Sequence, residues 1–236
     1  MPRRPLLLGL AAGAAALVAV PVGIAALPSG GSSVTGTVAS PCYSNLPSST
    51  SDEPIVATLR GGGPGATFTL LAALPGRPAG SAGSASGSYD GSGSATPRIT
   101  SLFGLGTAPS AGRVIDLAVR DAAGAVTPIG QTRVVNYTIS VALRPRSPRS
   151  KRLVRVSGTP LAGKRLYGFV VRKGGRKALR RVSLGTGDVC GYVRRKVVVA
   201  PPGARRGAYR LYVGPGKTLR RTSPSTVVFG FTVGRG

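Results

Sequence analysis

A period of two limits how this chain can fold more than any other feature. Ile115, Leu117 and Val119 alternate with Asp116, Ala118 and Arg120, and Val135, Tyr137, Ile139 and Val141 alternate with Asn136, Thr138 and Ser140. Nearer the C-terminus, Tyr209, Leu211 and Val213 alternate with Arg210 and Tyr212, and Val227, Phe229, Phe231 and Val233 alternate with Val228, Gly230 and Thr232. Successive side chains of a strand point to opposite faces, so this is the pattern of half-buried strands. Residues 33–39, 54–60, 65–72, 152–158, 165–172, 177–184 and 192–199 are further strand candidates. Turn chemistry separates them, as in Lys173-Gly174-Gly175-Arg176, Pro201-Pro202-Gly203 and Gly214-Pro215-Gly216. No segment after residue 30 carries a helical period. The expected fold is all-β: two tandem antiparallel β-sandwich domains, immunoglobulin-like or fibronectin-III-like, with a barrel as the alternative for either half. The first half lacks the Trp and paired Cys of an antibody-type core.

Charge divides the chain. Residues 28–143 hold 6 basic and 5 acidic residues, whereas residues 144–236 hold 24 basic and 1 acidic. Between the strand-rich halves lies RPRSPRSKR, residues 144–152, where Pro145 and Pro148 disfavour helix and the cations repel one another. It reads as a linker joining a neutral sandwich, 28–143, to a strongly basic one, 153–236. Residues 74–97 are dominated by Gly, Ser and Ala, bury too little to offset their ordering entropy, and read as a long loop of the first domain.

The N-terminus reads as an export signal over residues 1–27, expected as an apolar helix. Arg3 and Arg4 precede an uncharged stretch, 6–27, and small residues then lead into Pro28-Ser29-Gly30. The arginine pair weakly resembles a twin-arginine signal but lacks its flanking Ser/Thr and Phe. The apolar run of 22 residues also reaches the ~20 needed to span a bilayer, so an uncleaved membrane anchor is the alternative. Either reading puts the remainder outside the cytoplasm, secreted or associated with the cell envelope.

The second half carries Val154–Gly163 as VRVSGTPLAG, YGFVVRKGGRK at 167–177, Leu184-Gly185, Cys190-Gly191 and a Gly-x-Tyr strand at 207–209. It resembles a C-terminal β domain of uncharacterised secreted proteins of high-GC Gram-positive (actinobacterial) bacteria. The use of Arg over Lys, 26 to 6, fits a GC-rich genome. The resemblance implies an exported β domain and no activity.

Cationic groups carry the candidate chemistry. Arg172, Lys173, Arg176 and Lys177 crowd one Gly-Gly turn, Arg180 and Arg181 follow on the next strand, and Arg194, Arg195 and Lys196 form a further run. Pairs at Arg205-Arg206 and Arg220-Arg221 add to them. So much unbalanced charge attracts polyanions, and Arg forks match phosphate and carboxylate geometry. Anionic wall polymer, acidic polysaccharide and anionic membrane surfaces are the expected partners. Tyr192 and Tyr212 are too few to stack bases, and no recognition helix is present, so sequence-specific nucleic-acid binding is not expected. The bland alternative is that these arginines solvate strand edges and block edge pairing in a purely structural or adhesive protein.

An exported chain with two cysteines invites a disulfide, and Cys42–Cys190 would join the two halves; free thiols or a bond to another chain are the alternatives. With no His, neither a Ser-His-Asp nor a Cys-His nucleophile system is available. Asp52-Glu53 and Asp116/Asp121 are the only acidic pairs and read as solvated turns, not as a calcium or glycosidase site. The chain is therefore expected to be non-enzymatic, with no metal and no cofactor; the rival from another class is an extracellular hydrolase with a Ser/Lys or carboxylate site.

Overall fold

A computed structural model describes residues 34–45, 53–102, 108–142 and 149–234. The expected signal or anchor at 1–27 lies outside them. The described chain is all-β, with fifteen strands and a single 3-10 turn, Thr159–Leu161.

The first eight strands are β1 Thr35–Val38, β2 Cys42–Asn45, β3 Ile55–Arg60, β4 Thr67–Ala73, β5 Gly83–Ser88, β6 Arg98–Ile99, β7 Arg113–Asp121 and β8 Val126–Asn136. They form a three-stranded sheet, β1-β3-β6, and a five-stranded sheet, β2-β8-β7-β4-β5. Ile55, Ala57 and Leu59 of one sheet share a core with Leu70, Ile115 and Leu117 of the other. The period of two is what fills it: alternate residues of β3 and β7 point inward, and Leu59, Leu70, Ile115 and Leu117 are essentially sealed from solvent. Each such side chain contributes about 1.5–3 kcal/mol over its exposed state.

The remaining strands are β9 Thr138–Val141, β10 Lys151–Ser157, β11 Arg165–Arg172, β12 Ala178–Thr186, β13 Val193–Val198, β14 Gly207–Pro215 and β15 Val227–Val233. They form the sheets β13-β10-β9 and β12-β11-β14-β15 around a second core, with Val154, Val156, Leu166, Val170, Leu211 and Val213 among its members.

Three features differ from expectation. First, the pairing is not wholly antiparallel: β2 runs parallel to β8, with Cys42 opposite Arg133 and Asn45 opposite Asn136. The chain leaves β1, bends through Ala39-Ser40-Pro41 and joins the opposite sheet without reversing. Ser40 closes that bend, its hydroxyl donating to the Cys42 carbonyl at 2.8 Å, and strands that switch sheets do so through such bends.

Second, residues 74–97 are not one loop. They contain β5, which pairs with β4 from Thr67↔Ser88 to Ala72↔Gly83. Backbone ladder bonds hold a strand that has little apolar side chain to bury. Ala82 and Tyr89 anchor its two ends in the core, and the Tyr89 ring lies 4.8 Å from that of Phe68.

Third, RPRSPRSKR does not lie between the two layered units. β9 ends one side of it and β10 begins within it at Lys151, and these strands pair with each other, Val154↔Val141 and Ser157↔Thr138. It is the β9–β10 connection of the second unit; residues 143–148 lie outside the described residues. The passage from one unit to the next is Tyr137, a single residue between β8 and β9.

That passage is closely fitted. Cys42 and Cys190 form a disulfide across it, with Cα atoms 5.4 Å apart and 148 residues of separation. Thr159 donates its backbone N–H to Ser44 Oγ at 2.7 Å and its hydroxyl to Glu53 Oε2 at 2.7 Å. Ser157 Oγ donates to the Asn136 carbonyl at 2.6 Å. Two glycines make room. Gly158, at φ 139°, lies under the Tyr137 ring, which an added Cβ would meet at 2.2 Å; Gly191, at φ 69°, has the Gly158 carbonyl 1.9 Å from where a Cβ would stand. Only residues without a Cβ can occupy these positions. Ser157, Gly158, Thr159, Cys190 and Gly191 thus build the junction.

Candidate functional site

Strand direction sorts the charges of the second unit. β10 ends at the junction with Ser157, so its start at Lys151 lies at the far end, about 20 Å away at the usual rise per residue. Three connections meet at that far end: β9–β10, the β11–β12 hairpin and the β13–β14 loop. Their described residues include Arg149, Arg172, Lys173, Arg176, Lys177, Arg205 and Arg206, all exposed, and no acid. The one carboxylate of this unit, Asp188, sits at the opposite end, accepting the Cys190 and Tyr192 backbone N–H groups at 2.8 Å each. Exposed Lys164, Arg165 and Lys217 also lie toward that end, so both ends are positive and the excess is larger at the far end.

The Ala200–Ala204 turn divides the far end into two grooves. One, of about 520 Å³, is bounded by Arg149, Arg180, Val198 and the turn itself. The other, of about 410 Å³, shares Pro201–Ala204 with the first and is bounded by Arg172, Arg176, Lys177, Arg205, Leu179 and Tyr209. Both are lined by Pro201 and Pro202 as well as by cations. Arg180 is half-buried; its guanidinium donates to the Ala200 carbonyl at 3.3 Å, and its Nε is buried with no acceptor among the described residues. Tyr209 donates its hydroxyl to the Arg205 carbonyl at 2.7 Å, which fixes the start of β14.

The structure thus brings Arg172, Arg176 and Lys177 together with Arg205, and sets Lys173 beside them on the hairpin. It places the other expected cations elsewhere. Arg194 and Lys196 lie on the outer face of the β13-β10-β9 sheet, where Arg155 stands opposite Arg194. Arg195, on the edge strand β13, pairs with Val154 of β10 and is exposed. Arg181 is employed within the fold: its guanidinium lies 5.7 Å from the Tyr167 ring centroid and donates to the Lys217 carbonyl at 3.3 Å.

Arg181, on β12, braces a strap, the β14–β15 connection, that lies over the outer face of β11 and β14. Tyr167, Phe169, Val171 and Tyr212 form an apolar patch there, and Leu219 from the β14–β15 connection packs onto it. Arg221 secures the strap, lying 5.4 Å from the Tyr212 ring centroid and donating to the Gly175 carbonyl at 3.0 Å and to that of Arg176. Cation–π contact of this kind requires knowledge of which strands are neighbours, which the linear pattern does not carry.

Asp90 and Asp121 serve turns, but the expected acidic pairs are not simply solvated turns: Asp116 bonds across β7 and β8, and Glu53 holds the junction. Asp90 accepts from Ser92 and Ser94, and these hydrogen bonds hold its carboxyl below the ordinary carboxylate range. Asp121 accepts the Ala125 N–H at 2.8 Å and Asp116 the Gln131 amide at 2.7 Å. Among the described residues no group of three His, Cys, Asp or Glu side chains is placed to hold a metal ion.

No family model matches the chain, and no curated protein does. Among solved structures the chain is similar to red sea bream transglutaminase, at 14% identity and a TM-score of 0.31, covering 86% of this chain and 31% of that one. It is also similar to a tetra-tandem repeat in the extending region of a large adhesion protein, at 9% identity and a TM-score of 0.28, covering 85% and 49%. A third is Salmonella alpha-2-macroglobulin, at 12% identity and a TM-score of 0.29, covering 85% and 14%. The chain spans under half the length of each of these proteins, and likenesses this distant carry no functional argument.

Proposed function

We propose that this chain is an exported, non-enzymatic protein of the cell envelope or extracellular space, whose basic second unit binds anionic polymers or surfaces electrostatically. The N-terminal charge and hydropathy pattern supports export. The sheet orders support an immunoglobulin-like or fibronectin-III-like assignment for both units: each pairs a three-stranded sheet with one of four or five strands, and the first contains a strand that switches sheets. The observation that carries the binding reading is the crowding of seven exposed cations, with no acidic side chain among the described residues there, on the connections at one end, while the unit's only Asp or Glu, Asp188, lies at the other. Charges that served only to solvate strands or protect edges need no such gathering. A site of this kind raises the local concentration of polyanion and gives affinity that falls as salt rises.

The test is retention on immobilised heparin and on purified anionic wall polymer across a salt gradient. The reading requires retention at low salt on both, released progressively as salt increases. Passage through both columns unretained at low salt contradicts it.

A further inference from the structure

Resting on that reading, we infer that the two grooves beside the Ala200–Ala204 turn act as one bipartite site for a linear anionic glycan that crosses the turn. The grooves share Pro201 and Pro202, so a ligand in one reaches the other by passing over a single short turn. Each groove is within the size range of small-ligand sites, yet each is open, so a single anion gains little in either. A chain that fills both makes its second contact at high effective concentration. Arg149 and Arg180 receive anionic groups on one side, and Arg172, Arg176, Lys177 and Arg205 on the other. Arg180 has a specific reason to take part: its Nε lacks an acceptor, which an anionic oxygen supplies after a small side-chain shift.

The floor sets the chemical class. Pro202, Val198 and Leu179 offer aliphatic surface between the cations, and Leu179 is 49% exposed despite its size. A ligand whose anions are separated by carbon faces, as in a charged polysaccharide, covers this surface. An inorganic chain of phosphates does not. Nucleic-acid bases find no free ring in either groove, because Tyr209 is buried and tied to Arg205.

The experiment titrates the purified chain with heparin oligosaccharides from disaccharide to dodecasaccharide, and with inorganic polyphosphate of matched charge. Wild-type affinity is expected to step up by about 100-fold at the length that first spans both grooves. Arg149→Gln is an exposed change that cannot unfold the domain. It is expected to lower the affinity of the longer oligosaccharides by about 10-fold, while the disaccharide changes far less. Leu179→Ser with Pro202→Ser is expected to weaken the oligosaccharides and leave polyphosphate unaffected. A smooth rise with ligand charge and no step overturns the bipartite site, as does an Arg149→Gln effect equal at every length. Polyphosphate as sensitive to the floor substitutions as the oligosaccharides overturns the glycan assignment. In these cases the electrostatic function stands; absence of any binding at low salt removes that function as well.

Discussion

Glu53 holds Thr159 across the junction of the two units, accepting the Thr159 hydroxyl at 2.7 Å while the same oxygen accepts the Ser44 backbone N–H at 2.8 Å. The Ser44 and Thr159 hydroxyls are themselves 2.8 Å apart, so a short relay runs from the Thr159 N–H through Ser44 to the carboxylate. Charge-assisted hydrogen bonds are about twice as strong as neutral ones. Glu53→Ala leaves the Ser44 N–H and the Thr159 hydroxyl without their acceptor and should cost about 1–3 kcal/mol. Denaturant titration measures this, and a double-mutant cycle with Thr159→Val should return a coupling of about 1 kcal/mol; additive losses would mean the relay adds nothing.

The Cys42–Cys190 disulfide closes the longest constraint in the chain, 148 residues. In the chain-entropy account a loop of that size stabilises by about 4–5 kcal/mol. Replacing both cysteines by serine should lower stability by up to that amount, while retention on heparin is unchanged because the crowded cations lie at the far end. Both sulfurs are buried, so the native chain should resist alkylation until it is reduced and unfolded. Rapid labelling of the native chain by iodoacetamide would contradict the pairing.

Arg221 ties the β14–β15 strap to the β11–β12 hairpin. Arg221→Ala removes a ring contact and its bonds to the Gly175 and Arg176 carbonyls, at a cost of about 1–2 kcal/mol. The strap carries Lys217 and Arg220, so trypsin should cut there faster in the variant than in the wild type. Equal cleavage rates would show that Leu219, Arg181 and Tyr137 hold the strap without Arg221.

Burial pushes the Tyr137 phenol up to about 12 from its ordinary 10.0, and its hydroxyl donates to the Pro224 carbonyl at 2.7 Å. The folded state therefore keeps this proton more tightly than the unfolded state does. The stability it contributes is complete below pH 10 and is lost as pH rises toward about 12. Tyr137→Phe should flatten that part of the stability–pH profile. An unchanged slope between those values would place the alkaline sensitivity elsewhere.

Much of the fold was legible because the strands that build the cores obey their period: Ile115, Leu117 and Val119 face inward as their alternation requires. Two features escaped for physical reasons. β5 has no apolar period, since Gly-Ser-Ala-Ser-Gly-Ser is held by ladder bonds and by the flanking Ala82 and Tyr89. The junction escaped because alternation continues from Val135 through Tyr137 to Val141, so the chain passes from one unit to the next with no change in pattern. The Pro- and Arg-rich segment reads as an interdomain linker by composition, yet polar connections within a domain have the same composition. At the candidate site, the Gly-Gly hairpin was readable from its four cations alone. Its union with Arg205 and Arg149 depends on which loops share an end of the sheets.

The central claim is that position, and not total charge, governs polyanion binding. It is tested by comparing two variants that each lose four charges: Arg172, Arg176, Lys177 and Arg205 all changed to Gln, against Lys164, Arg165, Arg194 and Lys217 all changed to Gln. The salt concentration that elutes each from immobilised heparin is the readout. The account predicts a large drop for the first variant and a small one for the second; equal drops would contradict it.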